Sequence, residues 1–451
     1  MSTVRPADTS RLDHAVATVV LGTDTLWGGD VMNPSGTGRF IADSWFSDAP
    51  LPAAYRHPAA ALLRASGGVG AAEPDRAAID AYLEAVDLAG ALATLAEEGA
   101  RIGGLRGAYL AGLVDCFEIM RALALARLGR GEPVDYRRCV TAVTGRPPEP
   151  SRPEAKRTRV AALLARVEGG GGDDLGAAVD AWRRARRVPS ASIRALGAAF
   201  IAELDALAER HVARHLPAEL RAVPRANIEF LPIKDAWFSG SMNYLGRRRR
   251  PDGSPEYEAS YEINAALEIS VPEFAQLVSH EVVPGHVTTF AFLQNLFHRG
   301  ELGFEASVLT MNTRAATLFE GIANNAILMA YGVTEIDELP DEDLQIGLLL
   351  ALLQDDAKNQ ASYLTWSEDR PQDEVAAVLR RDYLVSEERA GKLAGAWGRH
   401  PLMGRLYLPC YRAGTEKVAE LRRRHPPERL LPALYGAHGL VDIVTLDRVL
   451  G

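Results

Sequence analysis

The sequence predicts a mainly α fold: one large helical unit carrying a small antiparallel β-sheet next to a candidate metal-binding helix. Three observations carry that expectation. Alanine and leucine recur at three- and four-residue spacing over most of the chain, the period of a helix with one buried face. Segments rich in β-branched and aromatic residues are confined to Ile228–Ile233 and Tyr257–Asn264. Soon after the second, Ser270-Val271-Pro272-Glu273 has the form of a helix start. Ser270 caps, Glu273 reaches back, and Pro272 fits the first turn.

The first 50 residues look least regular. Gly22, Gly28, Gly29, Asn33, Pro34, Gly36 and Gly38 suggest loops rather than a packed element. From about Pro52 to Leu128 the pattern is helical, clearest over Asp75–Glu98 and Gly107–Leu128. Prolines interrupt it in Gly145–Pro153 and glycines in Gly169–Gly172, with Glu154–Glu168 helical between them. Asp174–Arg187 and Ala191–Leu216 continue the helical series. Between the two strand-like segments, Arg247–Pro255 contains Pro-Asp-Gly and reads as a turn or exposed loop. Val287–Phe297, Leu309–Tyr331, Asp341–Gln360 and Pro371–Trp397 are again helix-like, and no internal repeat is found.

At 451 residues the chain can hold two or three domains or one large unit, and 47% hydrophobic with 24% charged residues is ordinary for a soluble globular protein. We expect residues 1–220 to form one wall of a cleft and 221–451 the other, in separate domains or one continuous body. The net charge of −9 argues against a general nucleic-acid binder. The arginine runs 183–187, 247–250 and 422–424 are short, scattered and read as solvated faces. Cys116, Cys139 and Cys410 are far apart and outside any Cys-x-x-Cys pair, which reads as buried thiols in a reducing compartment. With no uncharged stretch of spanning length and no basic leader, the expectation is a cytoplasmic protein without membrane contact. The oligomeric state is not legible.

His280-Glu281-Val282-Val283-Pro284-Gly285-His286 carries the chemistry. Two imidazoles flank a carboxylate that directly follows the first, the order found where histidines hold a metal and glutamate activates water. The usual spacing is four residues, on one helical face. Here it is six, which on an ideal helix turns the second ring roughly 120° away from the first. The chain must bend for both to meet one ion, and Pro284-Gly285 sits where the bend is needed. The alternative is a Pro-Gly turn with incidental polar residues.

A catalytic zinc site takes three protein ligands and keeps one position open. Glu320, in Leu318-Phe319-Glu320-Gly321-Ile322-Ala323, is the candidate for the third. A carboxylate among small and apolar residues is costly to bury unless a cation or donor meets it. The small Gly321 and Ala323 would let another helix approach closely. The competing reading is a water-facing glutamate near a helix start. His211-Val212-Ala213-Arg214-His215 has the tidier spacing but no following glutamate, and Arg210 and Arg214 would repel a cation. Gly68-Val69-Gly70 follows no strand, and no Gly-x-Ser-x-Gly segment is present.

His-Glu-x-x-Pro-Gly-His followed by Glu-Gly-Ile-Ala resembles the bacterial domain-of-unknown-function family 885, metallopeptidase-like proteins of the gluzincin type. Trp237-x6-Tyr244-Leu245-Gly246, Ser260-Tyr261-Glu262-Ile263-Asn264 and Tyr407-x3-Tyr411-x2-Gly414 extend the likeness. The resemblance implies that His280, His286 and Glu320 hold Zn2+ and that Glu281 is the general base. It implies an oxyanion-donating role for Tyr411, the alternative being an aromatic ring packed near a helix end. Tyr261 and Asn264 would lie on a strand aligning an extended substrate, with Tyr244 and Arg412 also on the substrate surface. It departs from the family at Val287, where a further histidine is common, at Asn325, where a tyrosine is common, and over residues 1–50. The implied reaction is hydrolysis of a peptide or other amide bond. Two rivals stand beside it: a zinc enzyme hydrolysing or rearranging a small non-peptide metabolite, and a non-catalytic binding protein on a decayed scaffold. Two histidines and a carboxylate also suit manganese, cobalt or iron.

Overall fold

Helical periodicity becomes helix through most of the chain, and the protein is mainly α, 66% helical and 6% strand. The computed structural model describes residues 10–33, 41–168, 174–233, 240–264, 269–437 and 439–451, with backbone alone at 232–233, 240–241 and 264. Pro34, Gly36, Gly38, Gly169–Gly172 and Trp237, singled out above, therefore lie outside the described residues, as does the side chain of Asn264.

The N-terminal region corrects the sequence reading. Arg11–Leu26 is a helix capped by Ser10, whose hydroxyl accepts from the Asp13 N–H. Val16, Val19, Val20 and Leu21 are fully buried. Burial outweighs the modest helix propensity of the valines. Gly22 is no breaker here: a Cβ at that position would come within 2.5 Å of Leu88 Cδ2, so its absence lets the helix 88–102 pack close. The expected helix 75–98 is two helices, Arg76–Ala85 and Leu88–Ile102. Asp87 separates them by capping the second through the Gly90 N–H.

Among the described residues, five short strands form two sheets. β1 (Ala42–Trp45) pairs antiparallel with β5 (Val308–Thr310). β2 (Ile228–Ile233), β3 (Gly240–Tyr244) and β4 (Ala259–Asn264) form a second sheet in the order β2-β4-β3. β4 pairs antiparallel with β3 and parallel with β2. The sequence did not announce β3, whose Gly240, Ser241 and Asn243 are poor strand formers. Its insertion between β2 and β4 returns the chain so that those two run the same way. The Pro-Asp-Gly loop closes as a turn, with Gly253 N–H on Arg250 O and Arg250 N–H on Ser254 O. The helix expected from Leu309 starts at Arg314 instead, because 308–310 are taken by β5 and Thr313 caps through Ala316 N–H.

Four C-terminal-half helices position the site: Val271–Glu281, His286–His298, Arg314–Tyr331 and Glu342–Trp366. A fifth, Leu408–Arg424, packs on the last two. Its closest approach is at Gly414, where a Cβ would lie 2.0 Å from Thr317 O, opposite Gly321, where a Cβ would lie 2.5 Å from Gly414 O. The small residue beside Glu320 thus does what its size suggested. The largest apolar cluster runs from Leu12 to Leu450, drawing on both halves of the chain. No helix of the described residues is long and apolar enough to cross a membrane, and Cys116, Cys139 and Cys410 are buried free thiols.

Candidate metal centre

The helix carrying His280 begins as its sequence implies. Ser270 Oγ accepts from the Glu273 N–H and donates to Glu273 Oε2, while Arg183 anchors the same carboxylate at 2.8 Å. The helix ends at Glu281, and the chain turns through Val282–Gly285 before the next helix starts at His286. Gly285 is required by close approach: a Cβ there would sit 1.8 Å from His280 O. The carbonyls freed at the bend are not orphaned. Thr288 Oγ1 donates to Val282 O, Thr289 Oγ1 to Gly285 O and Tyr435 OH to Pro284 O.

The bend brings the two rings edge to face, with centroids 4.8 Å apart. Glu320 Oε2 lies 3.5 Å from His280 Nε2 and 3.8 Å from His286 Nε2. Ligand bonds of about 2.0–2.2 Å in a tetrahedron place neighbouring ligand atoms roughly 3.3–3.6 Å apart. The three donor atoms lie within 4.8 Å of one another, and all three residues are buried. Glu320 Oε2 has no hydrogen-bond donor among the described residues, and an unmet buried carboxylate oxygen is expensive. Donor type, spacing and this unmet oxygen all fit a divalent cation. The water-facing alternative for Glu320 does not hold, since it is 3% exposed.

The supporting contacts define the donor atoms. His280 Nδ1 is 2.8 Å from Asn324 Oδ1. With Nδ1–H donating, the Nε2 lone pair is left for a cation. Asn324 Nδ2 in turn donates to Asp355 Oδ2 at 2.7 Å and to Thr415 Oγ1 at 2.8 Å. Lys358 Nζ reaches Asp355 Oδ1 at 3.0 Å and lies 3.2 Å above the Tyr411 ring. Tyr407 OH donates to Glu320 Oε1 at 2.5 Å, and its ring meets that of Tyr411 edge-on. His286 stacks on Phe290, one turn further along its helix.

Burial, then neighbouring His286, depresses His280 to about 3, so its ring is neutral. Burial pushes Glu320 up, but His286 and His280 overcome it and hold the carboxylate at about 2. Burial opposes protonation of His286, yet Glu320 and Glu281 raise its pKa. Burial lifts Glu281 to about 7, with its Oε1 3.9 Å from His280 Nε2. A carboxyl poised there can both take and return a proton near neutrality.

The remaining sequence candidates divide. Tyr411 borders the site through Tyr407 and Lys358. Tyr261 is fully buried, its hydroxyl lacks a hydrogen-bond partner among the described residues, and Glu281 raises its pKa further after burial. Two other candidates have partners away from the three converging residues. Tyr244 is buried and its hydroxyl donates to Gln294 Oε1 at 2.6 Å, fastening β3 to the helix 286–298. Arg412 pairs with Glu416 at 2.7 Å and donates to the carbonyls of Glu149 and Pro150, tethering a proline-rich connection. Asn324, Asp355, Lys358 and Tyr407 were not picked out as site residues from the sequence. A partial signal was present at Asn324, which with Asn325 interrupts an apolar helix one turn beyond Glu320, whereas Asp355 sits in the polar run Gln354-Asp355-Asp356 and does not stand out.

No family model matches the sequence, and no curated protein matches it. Solved structures do. The crystal structure of "the putative lipoprotein from Colwellia psychrerythraea" matches with a TM-score of 0.51 at 14% identity, over 80% of this chain and 66% of that one. The chain therefore spans slightly under two thirds of that protein's length. "A putative lipoprotein of unknown function from Shewanella oneidensis" matches with a TM-score of 0.48 at 14% identity, over 87% of this chain and 78% of that one. At such identity the first likeness speaks to the fold alone.

Proposed function

We propose that the protein is a zinc-dependent hydrolase of a peptide or other amide bond, of the kind its resemblance to the family-885 metallopeptidase-like proteins implies. The observation that carries this reading is the convergence of His280, His286 and Glu320 across the Pro284-Gly285 bend, with Glu281 alongside. When bound, the ion supplies Lewis acidity toward a carbonyl and toward water. The chain's own groups supply the rest. Glu281 takes a proton from the attacking water and passes it to the leaving nitrogen. Asn324 and Tyr407 hold His280 and Glu320 in orientation. Tyr411, bordering the same side, donates toward the developing oxyanion.

The test is Glu281→Gln. It should retain one equivalent of zinc while kcat falls about 10²–10⁴-fold on any peptide the wild type cleaves. Full activity would remove Glu281 from the reaction. Less than about half an equivalent of zinc in wild-type protein purified without chelator would favour the non-catalytic rival, since intact three-ligand sites hold the ion tightly.

A further inference from the structure

The centre includes a lysine that metal binding does not explain. Lys358 stands one turn beyond Asp355 on the helix 342–366, with its side chain 17% exposed. Its ammonium has three donors. Asp355 Oδ1 takes one at 3.0 Å, and the Tyr411 ring offers its face at 3.2 Å. No further acceptor meets it among the described residues.

Contacts run in a closed circuit from His280 through Asn324, Asp355, Lys358, Tyr411 and Tyr407 to Glu320, and so back to the cation position. Lys358 is thereby held near the metal ligands rather than turned to solvent. A lysine so close to a divalent-cation site is repelled by the ion unless anions lie between them. Asp355 is one such anion, but Asn324 already engages it from the other side.

We propose that Lys358, seated on Tyr411, receives a carboxylate of the substrate next to the scissile bond. The substrates would then be amides with a free carboxylate on the released side, such as the C-terminal residue of a peptide, and cleavage would be terminal. This rests on the hydrolase reading and narrows it. The substrate carboxylate would supply the anion that the arrangement calls for and would set the distance to the scissile carbonyl. The ring face of Tyr411 lets the ammonium adjust without losing its support.

The experiment uses zinc-loaded full-length protein and acetyl-dipeptides in matched forms, one with a free C-terminal carboxylate and one amidated. Both kcat/KM and calorimetric binding to the Glu281→Gln protein are measured. The free acids should be preferred about ten-fold or more, the size of one charge-assisted hydrogen bond. Lys358→Met should reduce the preference to about two-fold or less, through KM more than kcat, with zinc content unchanged, and Lys358→Arg should restore part of it. Equal binding of acid and amide by the wild type, or an undiminished preference in Lys358→Met, overturns the proposal. If neither form is cleaved but the acids still bind in a Lys358-dependent way, the hydrolase reading fails and the carboxylate site stands. Loss of zinc from Lys358→Met while Lys358→Arg binds acids no better than amides would assign the lysine to holding the centre together, against the proposal.

Discussion

Two histidine pairs in this chain invite opposite conclusions from spacing alone. His211 and His215 stand four apart, the interval that puts two rings on one helical face. His280 and His286 stand six apart, an interval that separates them. The structure sets the interval aside, as the lack of a following glutamate at the first pair and the Pro284-Gly285 bend at the second led us to expect. The helix of the first pair ends at His211, and His215 lies in a short 3-10 turn beyond it, its Nε2 accepting from Arg214 Nε at 3.0 Å. Burial, Arg210 and Arg214 depress the pKa of His211. Burial, then Arg214, does the same for His215. Neither belongs to a group of converging ligands among the described residues. The second pair meets because the chain bends and because a third, anionic group waits there. A metal centre is thus defined by what surrounds its histidines, and the interval between them is secondary.

The largest effect that could break this contrast is loss of the ion. Glu320→Gln or His286→Ala should reduce bound zinc to about a tenth of an equivalent or less, given the share of affinity each of three ligands carries. The double substitution His211→Ala, His215→Ala should leave zinc unchanged. Elemental analysis after dialysis distinguishes these, and zinc lost from the second protein would mean that the tidier pair matters after all. Next comes the bend. Gly285→Ala places a methyl on the His280 carbonyl, and overpacking of this kind costs about 1–3 kcal/mol. Thermal unfolding should show a lower Tm, together with weaker zinc binding in a competition titration. A fully wild-type protein on both counts would mean that the close approach is not needed. The smallest effect concerns orientation. Asn324→Ala frees the His280 ring and should weaken zinc about 10–100-fold, as loss of such supporting hydrogen bonds does. Unchanged affinity would show that His280 is held by packing alone.

Much of this contrast could be read before the fold was known. Glu320 stood out as a carboxylate in an apolar helix, Gly321 as the gap that admits a neighbour, and Ser270 as the start of the helix bearing His280. Each depends on residues close in the chain. The strands 228–233 and 259–264 were legible for the same reason, as β-branched residues declare themselves locally. The supporting contacts were not legible, because Asn324, Asp355, Lys358 and Tyr407 come from three helices whose faces meet only after packing. The helix 11–26 was hidden by Gly22 and its valines, whose conformation is decided by burial against the helix 88–102. β1 and β5 lie more than 260 residues apart, a pairing no local pattern encodes.

The central claim is that one ion is shared by His280, His286 and Glu320. X-ray absorption at the zinc edge, on full-length protein carrying one equivalent, tests it most directly. The account predicts two imidazole nitrogens and carboxylate or water oxygens at about 2.0–2.2 Å, with one imidazole signal lost in His286→Ala protein reconstituted at high zinc. Sulfur scattering at about 2.3 Å, or a single imidazole in the wild type, would contradict it.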